Sequence, residues 1–91
     1  MSVTVRIPSQ LRPLTGGAGE VVVEASTVRE AVASLDAAYP GLSERLLDEK
    51  GSLRRFVNLY LSDEDVRFLD GLDTPVGPGQ VLSVVPAVAG G

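Results

Sequence analysis

Side chains that do chemistry are scarce in this chain. It has no cysteine and no histidine, which removes disulfides, thiol nucleophiles, thiolate metal sites and imidazole acid–base work. Carboxylates remain, clustered at Asp63, Glu64 and Asp65, at Asp48 and Glu49, and at Asp70 and Asp73. None of these groups has the D-x-D-x-D-G pattern with a later glutamate that a calcium loop needs. They are expected to be solvated turns that add to an acidic surface. The sequence Gly77-Pro78-Gly79 has none of the features of a phosphate loop and reads as a turn. The other candidate is the end of the chain, Pro86-Ala87-Val88-Ala89-Gly90-Gly91. Gly90 and Gly91 have no Cβ, so an active site can close around the backbone and reach the carboxylate. Six extended residues span roughly 20 Å, and this stretch, without charge or bulk, is thin enough for a narrow channel. A frayed terminus would be equally mobile. The two readings differ on whether the Gly91 carboxylate is used.

The elements that hold such a tail must come from one small domain. The chain has 91 residues and a hydrophobic fraction of 44%, enough for a single core. With two Phe and two Tyr, that core must be mostly Val, Leu and Ala. The net charge is −4, with one lysine, Lys50. No basic stripe is present, so nucleic acid is not expected as a partner; a protein with a basic groove fits better. No apolar run approaches the ~20 residues needed to span a membrane. The start, MSVTVRIPS, reads as a strand and not as a signal peptide. A cytoplasmic protein without membrane association is expected.

Residues 3–7 alternate apolar and polar with Val3, Val5 and Ile7 on one face, the pattern of a strand. Residues 8–19, rich in Pro and Gly, read as a loop in which Gly16-Gly17 supplies turn geometry. Residues 20–25 form the second strand of a hairpin. Thr27 and Glu30 have the spacing of a capping box. Val28, Ala31, Val32, Leu35 and Tyr39 then fall on one helical face, and Pro40-Gly41 stops the helix. A short helical turn is expected at 43–47 and a strand at 56–61, with Val57, Leu59 and Leu61 opposite Phe56, Asn58 and Tyr60. A very short strand or bridge is expected at 66–68. The last strand, 80–86, is almost continuously apolar, which fits a central place in the sheet. The class is α+β: a mixed sheet of four or five strands with one main helix packed across one face.

The strand and helix order with its terminal Gly-Gly resembles the ubiquitin-like sulfur carriers of the ThiS/MoaD family. Three stretches carry the likeness: LRPLTGG, RFVNLYLSDEDVRFLDGL and PAVAGG. It covers the whole chain and is strongest toward the actinobacterial branch that serves cysteine synthesis. It implies a ubiquitin-like β-grasp domain over residues 1–86 and a flexible tail over 87–91. It also implies a protein co-substrate and not an enzyme. An adenylating enzyme of the MoeB/ThiF type, using ATP and Mg²⁺, would activate the carboxylate of Gly91. A sulfur donor would then displace AMP and leave a thiocarboxylate. A second enzyme would accept the sulfur: a pyridoxal-phosphate-dependent cysteine synthase, or a thiazole- or thiosugar-type synthase. A peptidase, by class a metallopeptidase, would free the product. The carrier itself binds no cofactor and no metal in this reading.

By the same likeness, Gly91 carries the chemistry and Gly90 gives access. Pro86, Ala87, Val88 and Ala89 join Gly90 in the inserted tail. Because the sequence stops at Gly91, no processing step is expected. The solvent face of the sheet is the implied docking surface, with Phe56, Tyr60 and Phe68 as its rings; the same rings could instead be core or a second small cluster. The competing function is a ubiquitin-like modifier, which would use the same adenylate to form an isopeptide bond. A plain interaction domain, indifferent to loss of Gly90 and Gly91, is the third.

Overall fold

The computed structural model describes residues 2–55 and 57–86. Five strands make one mixed sheet: β1 (Ser2–Arg6), β2 (Glu20–Glu24), β3 (Val57–Leu61), β4 (Glu64–Asp65) and β5 (Val81–Pro86). Their order across the sheet is β2-β1-β5-β3-β4. β5 runs parallel to β1, with Val5 opposite Leu82, and antiparallel to β3, with Leu59 opposite Val84. The last strand is therefore central, as its apolar sequence predicts. Two helices, α1 (Val28–Ala38) and α2 (Leu42–Leu46), complete the α+β arrangement.

Alternation in the strands decides where the core sits. Val3, Val5, Val23, Leu59, Leu82 and Val84 are buried together with Val28, Ala31, Val32 and Leu35 of α1. Helical spacing thus delivers one apolar stripe onto one face of the sheet. The helix starts where the capping box places it. Thr27 Oγ1 accepts from the Glu30 amide at 3.2 Å. The Glu30 carboxylate reaches one residue beyond the cap, accepting from the Ser26 amide at 2.7 Å. At the other end α1 stops at Ala38, one residue short of the expected Tyr39, which is its C-cap. Asp36 Oδ1 accepts from the amides of Ser43 at 3.0 Å and Gly41 at 3.1 Å. Those bonds, Ser43 first, hold the Asp36 carboxyl below its ordinary range.

Two stretches differ from the sequence expectation. The segment read as a plain loop contains a 3-10 helix, Ser9–Thr15. It forms because Leu11, Leu14 and Thr15 pack onto the core, while Arg12 Nε donates to the Ile7 carbonyl at 3.1 Å. Gly16 and Gly17 follow at φ 66° and 92°, the turn geometry expected of them. The short strand expected at 66–68 is instead β4, two residues earlier, and Val66–Phe68 is a 3-10 turn. Ser62 takes φ 57°, which turns the chain back at once and brings Glu64 opposite Leu61. Asp65 then caps the next turn, accepting from the Arg67 amide at 2.9 Å. The acidic cluster is thus half turn and half edge strand.

Candidate functional site at the root of the tail

The site is built where β5 ends. Pro86 lies opposite Val57, the last register pair between β5 and β3. Ala87, Val88, Ala89, Gly90 and Gly91, the residues expected to enter a partner, lie outside the described residues, as does Phe56. What the structure defines is the surface around the end of β5, up to Pro86.

On the sheet face away from α1, strand alternation places Thr4, Arg6, Asn58, Tyr60, Val81, Ser83 and Val85. Tyr60 is half-buried, opposite Ser83 on one side and Asp65 on the other. Phe68 is not on a strand; it stands on the 3-10 turn after β4 and is 86% exposed. Neither ring belongs to the buried core. The alternative that these aromatics are core is therefore excluded for Tyr60 and Phe68.

Sequence reasoning missed two further apolar residues on this face. Val85, one residue before Pro86, is 42% exposed, and Val22 on the edge strand β2 is 65% exposed. Their signal was present in the alternation: residues 81, 83 and 85 share a side, opposite the buried Leu82 and Val84. A run read as apolar on both faces is buried on only one. Polar neighbours frame the apolar residues. Arg6 pairs with Glu20 across β1 and β2 at 3.5 Å.

Beyond this surface the described residues offer little to bind a small molecule. An open groove of about 460 Å³ lies beside α2, between Ser43, Glu44, Leu47, Asp48, Glu49, Gly51 and Arg54. Asp48 in its wall is tied up locally, accepting from the amides of Lys50 at 2.9 Å and Ser52 at 3.0 Å. Those bonds, the Ser52 amide foremost, keep its carboxyl below the ordinary range. No group of three or more metal-capable side chains occurs among the described residues. No helix among them is long and apolar enough to cross a membrane.

The sequence matches the ThiS family over residues 5–91, so the match runs through the core, the open face and the Gly-Gly end. The chain belongs to the ThiS family. The sulfur carrier protein CysO of Mycobacterium tuberculosis is 50% identical over 93 aligned positions, covering 100% of both chains. A chain in the crystal structure of the Amycolatopsis orientalis BexX/CysO complex superimposes with a TM-score of 0.92 at 45% identity, over 98% of this chain and 99% of that one. The crystal structure of Mycobacterium tuberculosis CysO gives a TM-score of 0.90 at 48% identity, over 94% and 99%. The architecture is thus the ubiquitin-like β-grasp, and this ThiS-family protein is a full-length homologue of CysO. In that setting the open face includes the outward residues of β5, and the exposed Phe68 stands on the turn after β4, on the far side of β3.

Proposed function

We propose that this protein is a sulfur carrier whose Gly91 carboxylate is the working group. The observation that carries the reading is the full-length 50% identity to a sulfur carrier protein, in a chain whose own side chains include no thiol and no imidazole. A carboxylate is a poor electrophile. In the proposed sequence a carboxylate oxygen of Gly91 attacks the α-phosphate of ATP on a partner enzyme, and pyrophosphate leaves. A sulfur nucleophile then attacks the acyl carbon and AMP departs. The resulting thiocarboxylate is ionised at neutral pH and is a soft nucleophile toward an activated acceptor on a second enzyme. The acceptor that the likeness favours is the activated serine of cysteine synthesis.

Division of labour follows from the chemistry. Residues 1–86 form the handle, and 87–91 form the part that enters the enzyme. Gly90 and Gly91 leave room at the reacting carbon, because neither has a Cβ. Tyr60, Phe68 and Val85, with Phe56, form the surface on which enzymes dock. An exposed apolar patch with a polar surround is what a transient protein partner covers. The related CysO from Amycolatopsis orientalis has been crystallised with BexX, which supports docking on a protein.

The test is fragment mass spectrometry after incubation with the adenylating enzyme of the same organism, ATP, Mg²⁺ and sulfide. Sulfur in place of one oxygen at Gly91, trapped by a thiol-directed alkylator, is the expected result. Fragmentation must locate it, because oxidation of Met1 adds nearly the same mass. Isopeptide ladders on target lysines without a thiocarboxylate would replace this reading with that of a modifier. An unchanged Gly91 would remove both.

A further inference from the structure

Two stretches distinguish the sequence, residues 55–58 (RFVN) and 63–68 (DEDVRF), and the structure shows that one is bolted to the other. Arg67 turns its guanidinium back to the entrance of β3. Its Nη2 donates to the carbonyls of Arg54 at 2.7 Å and Val57 at 2.8 Å. Its Nη1 donates to Asn58 Oδ1. Asp65 holds the Arg67 amide from behind at 2.9 Å. The Arg54 carbonyl also accepts from the Val57 amide at 3.1 Å, so the turn into β3 is closed from both sides. All the oxygens that meet the guanidinium are neutral. The fork geometry of arginine suits this task, since its rigid plane reaches several acceptors at once.

Fixing Arg67 inward fixes its neighbour outward. Val66, on the other side, is fully buried. Phe68 therefore stands clear of the surface on a short turn pinned at both ends. The same anchor reaches the tail root, because Asn58 lies opposite Val85, and Val57 opposite Pro86. The tail that follows is short. Five residues extend at most about 18 Å, so an enzyme holding the Gly91 carboxylate must press against the surface around Pro86.

We infer that Asn58, Asp65 and Arg67 form a positioning unit that presents Phe68 and the entrance of β3, which pairs with the end of β5, to an apolar surface of the adenylating enzyme. Arg67 acts through Phe68 and the β3 entrance and is not itself the contact. The inference rests on the carrier reading and adds the part of the molecule that sets docking.

Steady-state kinetics of thiocarboxylate formation, with carrier concentration varied, tests it. Phe68→Ala is expected to raise KM for the carrier about tenfold, as loss of a buried interface aromatic does, with kcat unchanged. Arg67→Ala should give a rise of similar size, and Arg67→Lys should not rescue it. The decisive variant is the double substitution. Arg67→Ala with Phe68→Ala should be no worse than Phe68→Ala alone, because both remove one contact. Ser34→Ala, which removes a hydrogen bond from α1 to the Glu24 carbonyl, should leave KM unchanged. If Arg67→Ala lowers the melting temperature but leaves KM at the wild-type value, or if the two effects add, the positioning role is wrong. If wild-type carrier forms no thiocarboxylate, the carrier reading falls, and backbone ¹⁵N relaxation then decides the unit: order lost only around 55–58 and 66–69 in Arg67→Ala supports it, and unchanged order overturns it.

Discussion

Toward α1, the sheet presents Val3, Val5, Leu59, Leu82 and Val84, each at most 5% exposed; on the opposite face Val22 and Val85 are 65% and 42% exposed. β5 contributes to both, and its alternate residues serve different ends. Leu82 and Val84 hold the domain together, whereas Val85, of the same chemical type, faces water. The difference shows that an apolar residue in a central strand is not by itself evidence of core. Burial on one face stabilises the fold, and apolar surface left on the other is available to a partner. If the two faces have separate roles, substitutions should separate stability from sulfur transfer.

The largest expected effect lies at the end of the chain. Deleting Gly91 should abolish sulfur transfer while leaving the thermal melt nearly unchanged, since terminal residues contribute little to stability; a coupled transfer assay and calorimetry on one sample check both halves. Next is the inner face. Leu59→Ala, at a position with no exposure, should cost about 3 kcal/mol through lost burial and the cavity left behind. For a domain of this size that lowers Tm by more than about 10 °C. Thr27→Ala removes the cap bond to Glu30 and should cost about 1 kcal/mol in urea denaturation. On the outer face, Val85→Ser should move stability by less than about 0.5 kcal/mol yet weaken binding to the adenylating enzyme. A stability loss at Val85 as large as that at Leu59 would erase the distinction between the faces.

The smallest effect is one of pH. Asp36 is held below its ordinary value by the amides of Ser43 and Gly41, so the folded state favours its ionised form. That stabilisation is present above the unfolded carboxyl value of about 3.9 and is lost as pH falls through the lower folded value. Asp36→Asn should therefore flatten the acid limb of a urea-midpoint titration by lowering its neutral plateau slightly toward the acid value.

How much of this was legible in the sequence depended on how local the cause was. α1 was readable because a 3.6-residue stripe and a capping box are written within a dozen residues. The central place of β5 was readable from its apolar run. The alternation divided that run into two sides, but which side is buried was not readable, because nothing local says which face a helix will cover. β4 was displaced by two residues because the turn at Ser62 is set by a backbone angle that its residue type does not advertise. The 3-10 helix at Ser9–Thr15 owes its shape to packing on strands far away in sequence. At the site, Gly90 and Gly91 could be nominated from the sequence because the role proposed for them depends on absent side chains. Arg67 was not singled out, since its partners at 54, 57 and 58 are reached through space. The family likeness contained the arginine without explaining it.

If the proposed activation of Gly91 uses the surface at the end of β5, the position of that strand also ties charging to completion of the fold. Within the sheet, β1 and β2 form one hairpin and β3 and β4 another, and only β5 bonds to both. It is also the last of the strands to emerge during synthesis. Pairing so distant in sequence is a slow step for a small domain. Before it occurs, Val85 has no neighbour in Asn58 and Pro86 has none in Val57, so the departure point of the tail does not exist as a shaped surface. On the proposed carrier reading, an activating enzyme that grips that surface would engage the finished sheet before it commits ATP, and unfinished or damaged chains would go unloaded.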